Sequence, residues 1–411
     1  MKIGIILEQL KSIGGTSIHV SSMAKCLADE GHEVHVISLG EVNKCLDLGN
    51  VVHHSAGPLP ANILDGNSSA RLLINMLLEV TYKYEIDIVH AHYPCAMLAS
   101  AINKVINDVP YVVTLHGYEI QSFLMRDFQY YSSLVGLTLP STIISVSKAL
   151  ASEFTEIFEG THISINDASI EIIPDGTSFE IVTKEAEEIR KKLKLESEFT
   201  FVFVGRLSVE KGLRELLLAF KETVKQQPNC RLIIVGRGQM SQEIDEFISQ
   251  HDLKENVHLI GEIPHYEVIK YLSASDVLVL PSHSEGLGTV ILEAFAAGIP
   301  IIGTTVGGIP EAIMHNENGL LVRPRDHVTL ADEMIKIATD PEGYDHLKQG
   351  AINSTNKYTW NNLTKQIIEI YKNAIYKRDK RKEEMLNKIR EKYDFSQGNP
   401  WDKSSREETK L

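Results

Sequence analysis

The sequence is poor in cysteine. It has four, Cys26, Cys45, Cys95 and Cys230, and no C-x-x-C pair among them. That spacing excludes a disulfide scaffold and a zinc ribbon, and it suits small buried thiols in a reducing compartment. Long apolar runs are missing too: no stretch reaches the ~18 residues of a membrane-spanning helix. The opening MKIGIILEQLKSIGG lacks a small-residue cleavage site, so it reads as a strand and a glycine turn, and the expected location is the cytoplasm. Basic residues are in deficit, 41 Lys+Arg against 55 Asp+Glu, for a net charge of −14. A chain with this balance is repelled by polyanions, which excludes nucleic acid as the expected partner. The dinucleotide fingerprint G-x-G-x-x-G is also absent, which argues against a dehydrogenase.

What remains is ordinary globular composition, 43% hydrophobic and 23% charged, and 411 residues predict two domains or three. Short β-rich runs (Lys2–Leu7, Glu33–Ser38, Ile86–Ala91, Tyr111–Leu115, Thr142–Val146, Ile170–Ile173) alternate with helical patterns such as Ser17–Glu30. Runs apolar throughout predict parallel strands buried on both faces, hence a doubly wound α/β domain. The pattern restarts with strands at Phe199–Val204, Arg231–Val235, Val257–Ile260, Val277–Leu280 and Ile299–Gly303, with helices between them. The Pro174–Asp175–Gly176 turn and a charged helix separate the halves, so the first domain is placed at 1–176 and the second at 177–358. An apolar stripe (Leu363, Ile367, Ile370, Ala374) predicts a helix over about 359–376. From Lys377 to Leu411 the chain is a charged tail carrying +3, read as a solvated helix and frayed end, or as a weak peripheral contact with a membrane surface or partner.

Four constellations bear chemistry. Gly14–Gly15 joins a strand to a helix, either as a plain turn or as a close backbone approach to substrate or phosphate. In VGRLSVEKG, Arg206 and Lys211 flank a strand end. Arg supplies a planar fork and Lys a point charge, together suited to a diphosphate; the alternative is a salt bridge to Glu210 or Glu215. In PSHSEGLGTVILEAF, Glu285 sits at a helix mouth and Glu293 about one turn inside. The N–H groups of Gly286, Leu287, Gly288 and Thr289 converge there and can hold a phosphate, while a carboxylate inside an apolar helix needs a partner, such as ribose hydroxyls. His116 and Glu119 follow a buried strand in TLHGYE, where a histidine can donate to substrate or act as acid or base. His90 and His92 end another strand. They suggest a metal pair without a third ligand and are read as packing, so no metal site is expected.

The pieces GGTSIHV, VHAHYP, TLHG, SVSKAL, IIPDGTSFE, VGRLSVEKG, the Glu285/Glu293 block, TTVGGIPE and the TW-led helix stand in an order that resembles the retaining GT-B glycosyltransferases of family 4. The resemblance implies two Rossmann-like domains facing across a cleft, with the last helix crossing back to the first domain. It implies that Arg206 and Lys211 bind the diphosphate of a UDP- or GDP-sugar and that Glu293 holds the ribose. Glu285 would hold a hydroxyl of the transferred sugar, and Gly286, Leu287, Gly288 and Thr289 would supply donors near it. Gly236 and Ile263 would border the base, His116 would sit by the sugar, and Gly14, Gly15 and His116 would border the acceptor. His116, Arg206, Lys211 and Glu285 are the implied catalytic set. Asp175 departs from the family, which usually has Asn in that turn. No Asp-x-Asp occurs, so fixed cations and helix N–H groups, with no metal or cofactor, are expected to stabilise the leaving diphosphate. Two further readings stay open: a sugar-nucleotide epimerase of the same fold, and a non-catalytic nucleotide-sugar-binding subunit. The loops 58–67 and 121–131 are where the acceptor is expected to be chosen, and neither the acceptor nor the oligomeric state is readable.

Overall fold

Strands buried on both faces need apolar, often β-branched residues at nearly every position, and the first half supplies them in IGIIL, VHVISL and YVVTL. The computed structural model describes residues 1–10, 15–40, 48–55, 66–117, 128–159, 168–178, 182–195 and 197–392. Gly14, Glu119, most of the two acceptor loops and residues 393–411 lie outside them.

The first sheet contains β1 (Lys2–Gln9), β2 (Glu33–Leu39), β3 (Val52–Ser55), β4 (Ile88–His92), β5 (Tyr111–Leu115), β6 (Thr142–Ser145) and β7 (Ser169–Ile172). Its helices are α1 (Gly15–Asp29), α2 (Gly66–Tyr84), α3 (Pro94–Asn107), α4 (Phe128–Gly136) and α5 (Lys148–Glu159). All pairings are parallel, in the order β3-β2-β1-β4-β5-β6-β7. The direction of winding reverses between β1 and β4, the place where open α/β sheets bind ligands.

The chain crosses through α6 (Thr183–Leu193) to a second parallel sheet of β8 (Phe199–Val204), β9 (Cys230–Val235), β10 (Val257–Gly261), β11 (Val277–Leu280), β12 (Ile301–Thr304) and β13 (Gly319–Val322). Its helices are α7 (Leu213–Gln226), α8 (Ser241–Gln250), α9 (His265–Ser273), α10 (Thr289–Ala296), α11 (Ile309–Ala312), α12 (His327–Thr339) and α13 (Pro341–Ser354). The order β10-β9-β8-β11-β12-β13 reverses between β8 and β11. These are two Rossmann-like domains of GT-B type. The edge strands β3 and β13 were not expected from the sequence. VHHS in β3 is too polar to read as a buried run, and its residues are half-buried or exposed.

The last helix, α14 (Trp360–Lys392), returns to the first domain. Its stripe of Trp360, Leu363, Ile367, Tyr371 and Ala374 is buried against Ile3, Ile5, Val20 and Met23. The returning helix and the helical part of the charged tail are one element, which runs on to Lys392. The reason is local. KRDKRKEEMLNKIREK is made of strong helix formers without glycine or proline. Its first turn is also tied down, with Arg381 and Lys382 reaching Asp108 and Arg378 donating to the Asp87 carbonyl. No helix among the described residues is long and apolar enough to cross a membrane.

The two crossings between domains run side by side. Thr177 N–H donates to the Tyr358 carbonyl at 2.8 Å, and Thr177 and Thr359 form a parallel bridge. Gly176 is needed there, because a Cβ would lie 2.6 Å from the Trp360 indole.

Candidate active site

The residues singled out in the second domain come off the carboxyl ends of four neighbouring strands. Arg206 follows β8, Gly236 follows β9, Ile263 follows β10 and Glu285 follows β11. Parallel strands aim their carboxyl ends at one side of a sheet, so residues far apart in sequence collect at one mouth. Gly205 and Gly236 let the loops after β8 and β9 touch, since a Cβ on Gly236 would overlap the Gly205 carbonyl oxygen.

At this mouth Lys211 Nζ lies 2.5 Å from Glu285 Oε2, and Ser282 Oγ donates to the same oxygen at 3.3 Å. Arg206 is exposed beside the turn formed by Ser208 and Glu210. The alternative salt bridges named from the sequence do not form with Lys211. Glu210 accepts from Ser208 Oγ at 2.6 Å, and Glu215 lies 3.2 Å from His283 Nε2.

Gly288, with φ +85°, precedes α10, so the free N–H groups of its first turn open beside Glu285. Leu287 is buried and anchors the loop, and Gly286 and Thr289 are half-buried. The loop rests on the Gly307–Gly308 backbone. A Cβ on Gly307, at φ +51°, would overlap the Glu285 carbonyl oxygen, and one on Gly308 would overlap that of Gly286.

Glu293, on α10, is buried, and its Oε1 lies 2.8 Å from His265 Nε2 at the start of α9. This is the partner that a carboxylate inside an apolar helix requires. Ile263 stands two residues before His265, half-buried against the core.

The first domain meets this mouth from the other side. A Cβ on Gly15 would lie 3.6 Å from Thr289 Oγ1, and one on Gly286 would lie 3.3 Å from the His116 carbonyl. Both Glu311 oxygens cross between the domains, accepting from Lys148 N–H and Ala149 N–H at 2.8 Å each. A carboxylate on the first turn of α5 is favoured by the helix dipole.

Behind His116 lies a buried imidazole cluster. His92 Nδ1 is 2.9 Å from His116 Nε2, and the His19 ring stands edge-on to His116 at 4.9 Å. His19 Nδ1 lies 2.6 Å from Asp175 Oδ1. His90 contacts Thr114 Oγ1 at 2.7 Å and the Tyr371 hydroxyl of the returning helix at 2.6 Å. Burial, helped by the charge of His19, pushes His116 down to about 3. Burial first, then neighbouring histidine charge, holds His90 and His92 well below the ordinary imidazole range. These three rings are therefore neutral near pH 7. Burial alone would raise the Asp175 carboxyl, but the His19 hydrogen bond and the His19 and His116 charges leave it below its usual value.

Tyr93 joins this cluster through strain. It adopts φ 74° between β4 and Pro94, a conformation costing about 1–3 kcal/mol in a non-glycine residue. Its hydroxyl donates to Thr16 Oγ1 at 2.8 Å.

Both halves of the chain match known families. Residues 13–180 match the family described as Glycosyltransferase Family 4, and residues 185–354 match Glycosyl transferases group 1. The chain is a family 4 glycosyltransferase of GT-B fold. It is 27% identical to the N-acetyl-alpha-D-glucosaminyl L-malate synthase of Bacillus anthracis, over 85% of this chain and 91% of that one. It is 26% identical to the alpha-monoglucosyldiacylglycerol synthase of Acholeplasma laidlawii, over 93% and 99%. Its fold is similar to that of Anabaena HepE, solved with UDP and glucose, at a TM-score of 0.74 and 20% identity, covering 90% of this chain and 98% of that one.

Sequence reasoning about this glycosyltransferase missed three site residues. His265 is a lone histidine without a motif; the signal for it was the buried Glu293, which demanded a donor. Glu311 stood in the quoted TTVGGIPE block, but nothing local marks it as a cap on α5 of the other domain. His19 stood in GGTSIHV, and its partner Asp175 is 156 positions away.

Proposed function

We propose that this glycosyltransferase is a retaining enzyme that moves a sugar from a UDP- or GDP-sugar to an acceptor hydroxyl, using neither metal nor cofactor in the transfer. The supporting observation is the single mouth at β8 and β11. It carries Arg206 and Lys211 for the diphosphate, the first turn of α10 for phosphate or sugar oxygens, and Glu293 for the ribose. Gly236 and Ile263 border the base, and Glu285 takes a sugar hydroxyl. Gly15 and His116, from the facing domain, border sugar and acceptor. The domain boundaries fall at Gly176 and Thr359, where the two crossings bridge.

Among the described residues, Glu285 at the mouth is tied to Lys211 and Asp175 behind it to His19, so neither is a free nucleophile. The acceptor therefore attacks from the face the diphosphate leaves, and a departing phosphate oxygen takes the acceptor proton. The bond from sugar to diphosphate breaks as the bond to the acceptor forms, so the configuration is kept. Arg206 and Lys211 stabilise the developing charge. The named relatives make a small-molecule glycoside and a glycolipid, so a small hydroxylated molecule or a lipid is the acceptor class to try first, with a surface polysaccharide third. A cytoplasmic enzyme is the reading, with weak peripheral contact at the inner membrane face through exposed Met385, Leu386 and Ile389 on α14.

A panel of nucleotide sugars tests this by protection against thermal unfolding. The true donor at 100 times its Kd stabilises by about 2.7 kcal/mol. Anomeric analysis of the product then reads the configuration. Protection by no nucleotide, or an inverted product, would overturn the reading.

A further inference from the structure

The histidine cluster behind the cleft has a property that packing does not explain. His19 Nε2 and His92 Nε2 are buried ring nitrogens without a hydrogen-bond partner. His19 is 4% exposed and His92 is fully buried. An unsatisfied buried polar atom costs about 1–3 kcal/mol, so the orphaned His19 nitrogen calls for a ligand; His92 turns its other nitrogen, Nδ1, toward His116.

One ring nitrogen from each of His19, His92 and His116 lies within 4.8 Å of the other two. We propose that these three imidazoles form a binding site for a borderline divalent cation of the zinc class. Two nitrogens bound to one tetrahedral zinc at 2.0–2.1 Å stand about 3.3 Å apart. His92 Nδ1 and His116 Nε2, at 2.9 Å, are already near that spacing, and His19, within 4.8 Å, would turn toward them on binding.

The surroundings fit a cation. A carboxylate only accepts, so the Asp175 contact puts a proton on His19 Nδ1 and makes Nε2 the nitrogen that would ligate. A carboxylate behind a ligating histidine is the usual way such a ring is oriented and made more basic. The Asp175 carboxylate also adds a negative charge beside His19. Access is from the cleft, because His116 is only half-buried and its carbonyl borders Gly286 of the other domain. The fourth position is left for water.

The site is separate from the diphosphate mouth, so the transfer itself does not need it. Bound zinc would take His116 away from the sugar and inhibit. That consequence rests on the proposed transferase reaction, whereas metal binding does not.

The test is a zinc chloride titration of the full chain by calorimetry, without nucleotide, followed by cobalt chloride and visible absorption. One zinc per chain and an intense tetrahedral cobalt spectrum are expected. His19→Gln should abolish both. Asp175→Asn, close to isosteric, should weaken zinc binding 10–100-fold and remains decisive if His19→Gln fails to fold. His54→Gln, in a separate histidine group at the β2–β3 edge, should change nothing. Wild-type affinity unchanged by Asp175→Asn, or binding lost with His54→Gln instead, would overturn the proposal. Zinc inhibition reversed by a chelator then reads the effect on transfer. Binding without inhibition would sink the assigned role of His116 and leave the metal site standing.

Discussion

Lys211 Nζ and Glu285 Oε2 are 2.5 Å apart, an ion pair between two residues that are each assigned to a different part of the donor. The pair keeps both side chains in place before donor arrives, with Lys211 and Glu285 mostly shielded from solvent. A diphosphate would then draw on a cation already held at the mouth. Lys211→Ala is expected to lower kcat by about 10²–10³, equivalent to about 3–4 kcal/mol of transition-state stabilisation. Steady-state kinetics with the best nucleotide sugar checks this; near-normal turnover would refute the charge-stabilisation role.

Glu293 is predicted to act on binding. Its carboxylate is oriented by His265 through Oε1. A hydrogen bond to a charged group is worth about 1.5–3 kcal/mol, so Glu293→Gln should raise the nucleotide Kd at least ~10-fold. The same change should abolish discrimination against a 2′-deoxy nucleotide. Equal discrimination in variant and wild type would remove the ribose assignment.

Glu311→Gln should loosen the closed arrangement of the domains. The carboxylate accepts from two N–H groups at the start of α5, a placement worth about 1–2 kcal/mol when partly buried. The expected result is a larger radius of gyration by small-angle X-ray scattering in the absence of donor, with little change in melting temperature. An unchanged radius would show that Glu311 does not hold the domains.

Gly307→Ala tests the seat of the Glu285 loop. Alanine meets both a φ of +51° and the Glu285 carbonyl oxygen. Activity should be lost to a greater extent than the roughly 1–3 kcal/mol of folding stability that backbone strain accounts for. Wild-type turnover in this variant would mean the loop does not need its present position.

At the sheet edge, burial first and then the charges of His35, His53 and Lys83 hold His54 down to about 4, and burial lowers His53 as well. The unfolded chain takes up these protons first, near the ordinary value of 6.5. Their contribution to stability is therefore complete above about pH 6.5 and declines as pH falls toward 4. His54→Gln should flatten this part of the stability–pH curve, as read by chemical denaturation at several pH values. An unchanged acid limb would assign the loss to other groups.

Much of this architecture was legible because its signals are local. The run FTFVFVG followed by Arg206 announces a buried strand and its carboxyl end in consecutive residues, and Glu285 and Glu293 lie on one strand–loop–helix unit. What was hidden depends on pairings that only the folded chain makes. His265 is 28 positions from Glu293, and His19 is 156 from Asp175. In the sequence Asp175 is only a departure from the usual Asn of a turn that both residues serve equally well. Its buried partner gives the carboxylate a different meaning. That the tail helix continues α14 without a break was hidden for the opposite reason. Its far half has only a thin exposed stripe (Met385, Leu386, Ile389), and its anchorage comes from Arg381 and Lys382 on Asp108, a surface contact with no periodic signature.

The bridge between Thr177 and Thr359 also limits how the enzyme can move. Two covalent crossings fastened side by side behave like the spine of a book. Bending about the line they share is soft, because it needs only small changes of backbone angle in each. Sliding one domain past the other, or twisting it about the long axis of the cleft, would shear the Thr177–Tyr358 hydrogen bond and drag Trp360 off Gly176. Opening should therefore follow one hinge angle, so the Arg206 and His116 sides part and meet again in a repeatable register each turnover.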